Sequence, residues 1–131
     1  KNNKAIDDFI SSIVERYDIR FSSSAVKAGL LSGGNLRKLV FARELENNPH
    51  LLIACQPTRG LDVKAIKFVH KQLLKLRKEN RSVFLVSDDL DEILTLSDTI
   101  GVIYEGKLIG ILKNKGIDIE KIGLMIGGVD C

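Results

Sequence analysis

The sequence predicts an α/β fold built on a parallel sheet with crossover helices, and three observations predict it. Two short apolar runs, LLIAC at 51–55 and SVFLVS at 82–87, are bounded by turn residues, as expected of strands buried on both faces of a parallel sheet. Segments of helical periodicity precede, separate and follow these runs, the order that a strand, a crossover helix and a parallel strand require. The stretch TIGVIYEGKLIGIL (99–112) then reads as an antiparallel hairpin turning at Glu105 and Gly106.

Each element follows from local pattern. Ile6, Phe9, Ile10, Ile13 and Tyr17 recur at helical spacing and predict an amphipathic helix over 4–18. SSSAVKAGLLSGG (22–34) interrupts it with small and turn-forming residues, and a second helix runs from Gly34 to about Glu46 with Leu36, Leu39, Val40, Ala42 and Leu45. NNPH (47–50) ends it. A third helix spans Asp62 to Lys78 between the two strands, and Leu90, Ile93 and Leu94 mark a short helix after the second. Ile119, Ile122 and Met125 mark a last short helix before a Gly-Gly ending.

Composition narrows the function. At 131 residues, 44% hydrophobic and 5% aromatic, the chain suffices for one core rather than two comfortable domains. Twenty basic against 17 acidic residues leave a charge of +3, too little to demand nucleic acid or an anionic membrane as partner. Cys55 lies inside an apolar run and Cys131 is the last residue, which favours a reduced, cytosolic setting and a small buried hydrophobe at 55 over a disulfide framework. No apolar stretch approaches the roughly 18 to 20 residues that span a bilayer, and KNNKAIDD lacks the core of a signal peptide. Work at a membrane would therefore go through a partner. His50 and His70 are isolated, and Asp88, Asp89, Asp91 and Glu92 open a helix, where acids favour the N-terminal dipole over a metal. Lys64, Lys67, Lys71, Lys75 and Lys78 form a solvated stripe opposite Ile66, Val69 and Leu73.

The stretch LLSGGNLRK (30–38) carries the first chemical signal. Ser32 stands where a helix N-cap belongs, and Gly33 and Gly34 let the backbone approach an anion while free helix N–H groups point at it. A phosphate corner and a plain capped helix both satisfy that pattern. No glycine-rich G-x-x-x-x-G-K-[ST] run occurs within the 131 residues, and only two clear parallel strands follow a helical start. A portion of a larger domain is expected.

Neighbouring motifs sharpen the reading. LSGGN (31–35), the strand ending in QPTRGLD (51–62) and FLVSDDLDEI (84–93) occur in one order over about 60 residues. This series resembles the ATP-binding cassette family of transporter ATPases, with its signature, Walker B strand, D-loop and switch strand. PTRGLDV (57–63) is similar to the second cassette of two-cassette importers for nucleosides and simple sugars, and YEGKLIG (104–110) resembles the segment closing their core. The resemblance implies the C-terminal part of a P-loop NTPase (RecA-like) cassette, with 1–31 ending the helical signature subdomain and 32–131 belonging to the core. It implies that Ser32, Gly33 and Gly34 face the γ-phosphate of ATP held by the opposite cassette. Asn35 stands where many members have glutamine, Leu36 departs from a common polar residue but suits the apolar helix face, and Asp62 is the D-loop acid. The implied partners are the first cassette of the same polypeptide, transmembrane permease subunits and a substrate-binding protein, at the cytoplasmic face of the membrane. Nucleic acid and direct membrane insertion are not implied; a homodimer of the fragment is compatible with its missing strands.

Three positions depart from the family pattern. Cys55 offers soft sulfur where an aspartate helps hold Mg²⁺, a hard ion that prefers oxygen. Gln56 replaces the glutamate that acts as base or positions water, and cannot take a proton at neutral pH. Asp88 replaces the switch histidine and adds a like charge toward a γ-phosphate. The local site reads as non-hydrolytic, with ATP and Mg²⁺ belonging to the full assembly. Two rivals stand beside this reading: a regulatory or assembly module, and a cassette ATPase acting on DNA or ribosomes.

Overall fold

The computed structural model describes residues 3–20 and 27–129. Cys131 and the opening of the small-residue stretch, 22–26, lie outside the described residues. In chain order the elements are α1 (Asn3–Arg16), a 3-10 turn (Ala28–Leu30), α2 (Gly33–Glu46), β1 (Leu51–Cys55), α3 (Val63–Lys78), β2 (Ser82–Val86), α4 (Leu90–Leu96), β3 (Thr99–Tyr104), β4 (Lys107–Lys113) and α5 (Ile119–Ile126). They fall into two compact units, Lys1–Val86 and Ser87–Cys131.

In the first unit, β1 and β2 pair in parallel from Leu51↔Ser82 to Cys55↔Val86, with α3 as the crossover between them. Helix α3 buries Ala65, Val69, Leu73 and Leu76 and keeps the predicted lysine stripe exposed. Tyr17, Ile19 and Ala42 form a core with Ile13, Leu39, Leu45 and Phe68. Helix α1 ends two residues earlier than its apolar periodicity predicts. Asp18 takes φ +47°, and Ile19 N–H bonds to Val14 C=O at 3.0 Å while Asp18 N–H bonds to Glu15 C=O at 3.2 Å. That pair of bonds is a left-handed helix stop, which swings Ile19 into the core.

The second unit packs the hairpin against α5. β3 and β4 are antiparallel, with a register shift between Val102 and Ile103, and the turn places Glu105 and Gly106 at φ +45° and +76°. Two successive positive φ values match the twist of the flanking strands, as the Glu-Gly turn predicts. Ile100, Val102, Ile122 and Met125 form the core, with Leu90, Ile93, Leu94, Leu112 and Ile117 against it. Gly110 leaves room for the Met125 methyl, the far end of a flexible side chain, to pack against β4. The Asn114 amide donates to the carbonyls of Leu94 and Ser97 at 2.7 Å each, closing the end of α4.

Three expectations are corrected. The two parallel strands are not buried on both faces: Ile53 is 67% exposed and Phe84 60%, and Leu51 and Val86 are exposed too. In this chain only the side carrying Leu52, Ala54, Val83 and Leu85 is partly or fully covered. Cys55 shares the alternation of Leu51 and Ile53 and is exposed rather than a buried hydrophobe. Leu36 does not lie on the packed face of α2; it is 39% exposed, because the buried face of that helix carries Lys38, Phe41 and Ala42. The apolar stripe of α1 is likewise covered only toward its C-terminal end, with Ile6 and Phe9 exposed.

Candidate functional site

The N-terminus of α2 gathers Ser32, Gly33, Gly34 and Asn35. Ser32 is the N-cap, its Oγ accepting from Asn35 N–H at 3.4 Å, as the sequence predicts for this residue type at a helix start. The Asn35 side chain adds a second bond, Nδ2 donating to Ser32 Oγ at 3.1 Å, while its Oδ1 accepts from Arg20 N–H at 2.9 Å. Gly33 faces open space: a Cβ there would meet nothing within 4 Å. A Cβ on Gly34 would make only ordinary contact, 3.8 Å from Ala65 Cβ. Local packing thus demands neither glycine, and what their bare backbone offers is close approach from outside.

Gly34 also borders the first turn of α3, which brings Asp62 into the neighbourhood. Asp62 caps α3, its Oδ1 accepting from Ala65 N–H at 2.8 Å. Two capped helix N-termini therefore lie close together, a pattern that favours negative charge nearby.

Lys38, which the motif reading passed over, anchors this corner. Its ammonium donates to the Asp18 carboxylate at 2.8 Å and to the Asp18 carbonyl at 2.5 Å, and lies 5.2 Å from the centre of the Phe68 ring. The side chain is almost wholly buried. Hydrogen bonding to Lys38 and its positive charge, helped by Lys64 and Arg20, hold the Asp18 carboxyl below its ordinary value of 3.8. Asn35 and Lys38 lie three residues apart on one helix face and together grip the segment 18–20. Lys38 stands one turn before Phe41, Ala42 and Leu45 on the covered side of α2, but a lysine at that spacing carries no mark of burial, which depends on Asp18 and Phe68.

Cys55 and Gln56 stand at the carboxyl end of β1, where the chain enters PTRGLD. Gln56 N–H donates to Val86 C=O at 2.7 Å, and its backbone takes φ +47°, an uncommon conformation for a residue other than Gly, Asn or Asp. The loop folds back through Arg59 N–H to Gln56 C=O at 3.3 Å and Leu61 N–H to Thr58 C=O at 3.1 Å, with Pro57 and Thr58 buried. The Cys55 thiol is a soft donor, and no group of three His, Cys, Asp or Glu side chains that could hold a metal ion occurs among the described residues. Asp88 is exposed and belongs to the second unit, just before Asp89, which caps α4 through Glu92 N–H at 3.1 Å. No helix among the described residues is long and apolar enough to cross a membrane.

The fold is that of part of an ATP-binding cassette, a P-loop NTPase. A dimeric ATP-binding cassette in a post-hydrolysis state, bound to ADP and Pi, superposes with a TM-score of 0.70 at 26% identity, over 81% of this chain and 46% of that one. Relatives by sequence are import proteins. The chain is 44% identical to the nucleoside import ATP-binding protein NupA of Lactococcus lactis over 94% of its own length and 24% of the relative's. It is 45% identical to the guanosine import ATP-binding protein NupO of Bacillus subtilis over 89% of its length and 23% of the relative's. Against the ribose import ATP-binding protein RbsA of Lacticaseibacillus paracasei it is 38% identical over 98% of its length and 26% of the relative's. The chain thus spans about a quarter of the length of the curated relatives it matches. No family model matches it.

Proposed function

We propose that this chain is the C-terminal part of the second, degenerate cassette of a two-cassette importer ATPase for nucleosides or simple sugars. Residues 1–31 end the helical signature subdomain and 32–131 belong to the ATPase core. The first cassette of the same polypeptide binds Mg-ATP and supplies the catalytic acid, while this half lends Ser32, Gly33, Gly34 and Asn35 across the dimer, with Asp62 beside them. ATP-driven closure of the cassettes energises uptake through permease subunits at the cytoplasmic face, with a substrate-binding protein delivering cargo.

One observation carries the reading. The signature corner is intact as a capped helix start whose two glycines are unneeded by local packing, while the strand end that would serve hydrolysis in this half holds a thiol and an amide. The names of the relatives, importers of nucleosides, guanosine and ribose, support the cargo class. In this half the Ser32 hydroxyl and the backbone N–H groups of α2 stabilise charge developing on a γ-phosphate. Gln56 orients water at most.

Steady-state ATP turnover of the full-length protein in membranes with its permease tests this division. Ser32→Ala removes a donor to the transferring phosphoryl group, and Gly34→Asp places a like charge against it. Each lowers turnover by about 30- to 1000-fold, the effect of losing one such donor. Gln56→Ala has little effect. Turnover abolished by Gln56→Ala and untouched by the other two would place the chemistry in this half.

A further inference from the structure

Resting on the proposed role of Ser32, we propose that Asn35 is a positioning residue: its carboxamide turns the Ser32 hydroxyl proton outward, so that the serine meets the nucleotide as a donor. The amide orientation follows from chemistry. Arg20 N–H can only donate, so the oxygen of Asn35 faces it at 2.9 Å and the nitrogen faces Ser32 Oγ at 3.1 Å. Ser32 Oγ then accepts twice from within the corner, from Asn35 Nδ2 and from Asn35 N–H at 3.4 Å. A hydroxyl oxygen has two lone pairs and one proton, so donation is the capacity left for a phosphate oxygen. In this role Asn35 acts through Ser32.

Aspartate tests this sharply because it nearly matches asparagine in shape. In Asn35→Asp one carboxylate oxygen still accepts from Arg20 N–H, while the other faces Ser32 and draws the hydroxyl proton inward. Asparagine 35 is the third residue of α2, where a negative charge favours the helix dipole, so this variant keeps its thermal stability. The experiment measures ATP turnover and melting temperature of the full-length protein for Ser32→Ala, Asn35→Ala, Asn35→Asp and the Ser32→Ala/Asn35→Ala pair.

Expected are a turnover loss of about tenfold in kcat for Asn35→Ala, the value of one hydrogen bond, and a larger loss for Asn35→Asp without a fall in melting temperature. In the double variant Asn35→Ala adds nothing to the loss caused by Ser32→Ala. Full additivity of the two single losses, or Asn35→Asp turnover equal to the parent, overturns the positioning role while leaving the signature reading intact. Unchanged turnover in Ser32→Ala overturns both.

Discussion

A buried lysine is tolerated only with a partner, and Lys38 has three: the carboxylate and carbonyl of Asp18 and the face of Phe68. Removing the two ends of this pair has unequal consequences. Lys38→Met fills the same space with an apolar chain and leaves Asp18 half-exposed to water, whereas Asp18→Asn keeps the left-handed backbone, which Asn accepts, and takes the countercharge from a buried cation. Chemical denaturation therefore finds Asp18→Asn the more destabilised variant. Protonation does the same work. Because the folded state holds the Asp18 carboxyl below its ordinary 3.8, the contribution is fully present above that pH and is lost as the pH falls through the lowered value. The parent loses stability in this acid window, and Asp18→Asn, already lacking the charge, loses less of it.

Helix ends explain why the elements lie where they do. Asp62, Asp89 and Asp118 cap α3, α4 and α5, each accepting from backbone N–H groups of the first turn. Asp62→Ala removes the cap that sits beside Gly34, and its cost is about 1 kcal/mol in denaturant titrations. Gly128 supplies the opposite end of α5. It has φ +77°, and a Cβ there would lie 2.4 Å from the Tyr104 ring, so Gly128→Ala combines backbone strain with a clash. A loss of about 1 to 3 kcal/mol is expected, read as a fall in melting temperature. An unchanged melting temperature would show that Tyr104 moves aside freely.

At the scale of the molecule, two features of the chain taken alone have measurable consequences. No glycine-rich loop with a lysine lies within the 131 residues, so calorimetric titration of the isolated chain with Mg-ATP is expected to show weak or no binding. Micromolar affinity would place a principal nucleotide site here. The sheet of β1 and β2 presents Leu51, Ile53, Phe84 and Val86 to solvent, each worth about 1.5 to 3 kcal/mol when fully buried. Sedimentation of the isolated chain is therefore expected to show concentration-dependent dimerisation, and Ile53→Lys to suppress it. A monomer at all concentrations would remove the homodimer from consideration.

The sequence by itself determined the element order, because periodicity, caps and turn residues act over a few positions. Ser32 as a helix cap, the Glu105-Gly106 turn and the strands at 51–55 and 82–86 needed no knowledge of the rest of the chain. It also displayed a thiol, a carboxamide and a carboxylate at 55, 56 and 88, residue types that are read without a fold. Tertiary structure decided which faces are covered. An apolar run looks the same whether it is packed on one side or two, so the exposure of Ile53, Cys55 and Phe84 was not legible from residues 51–55 and 82–87 alone. Nor could spacing within α2 show that Lys38, rather than Leu36, belongs on its packed face. That choice belongs to Asp18 and Phe68, 20 residues before and 30 after, which only folding brings to the ammonium.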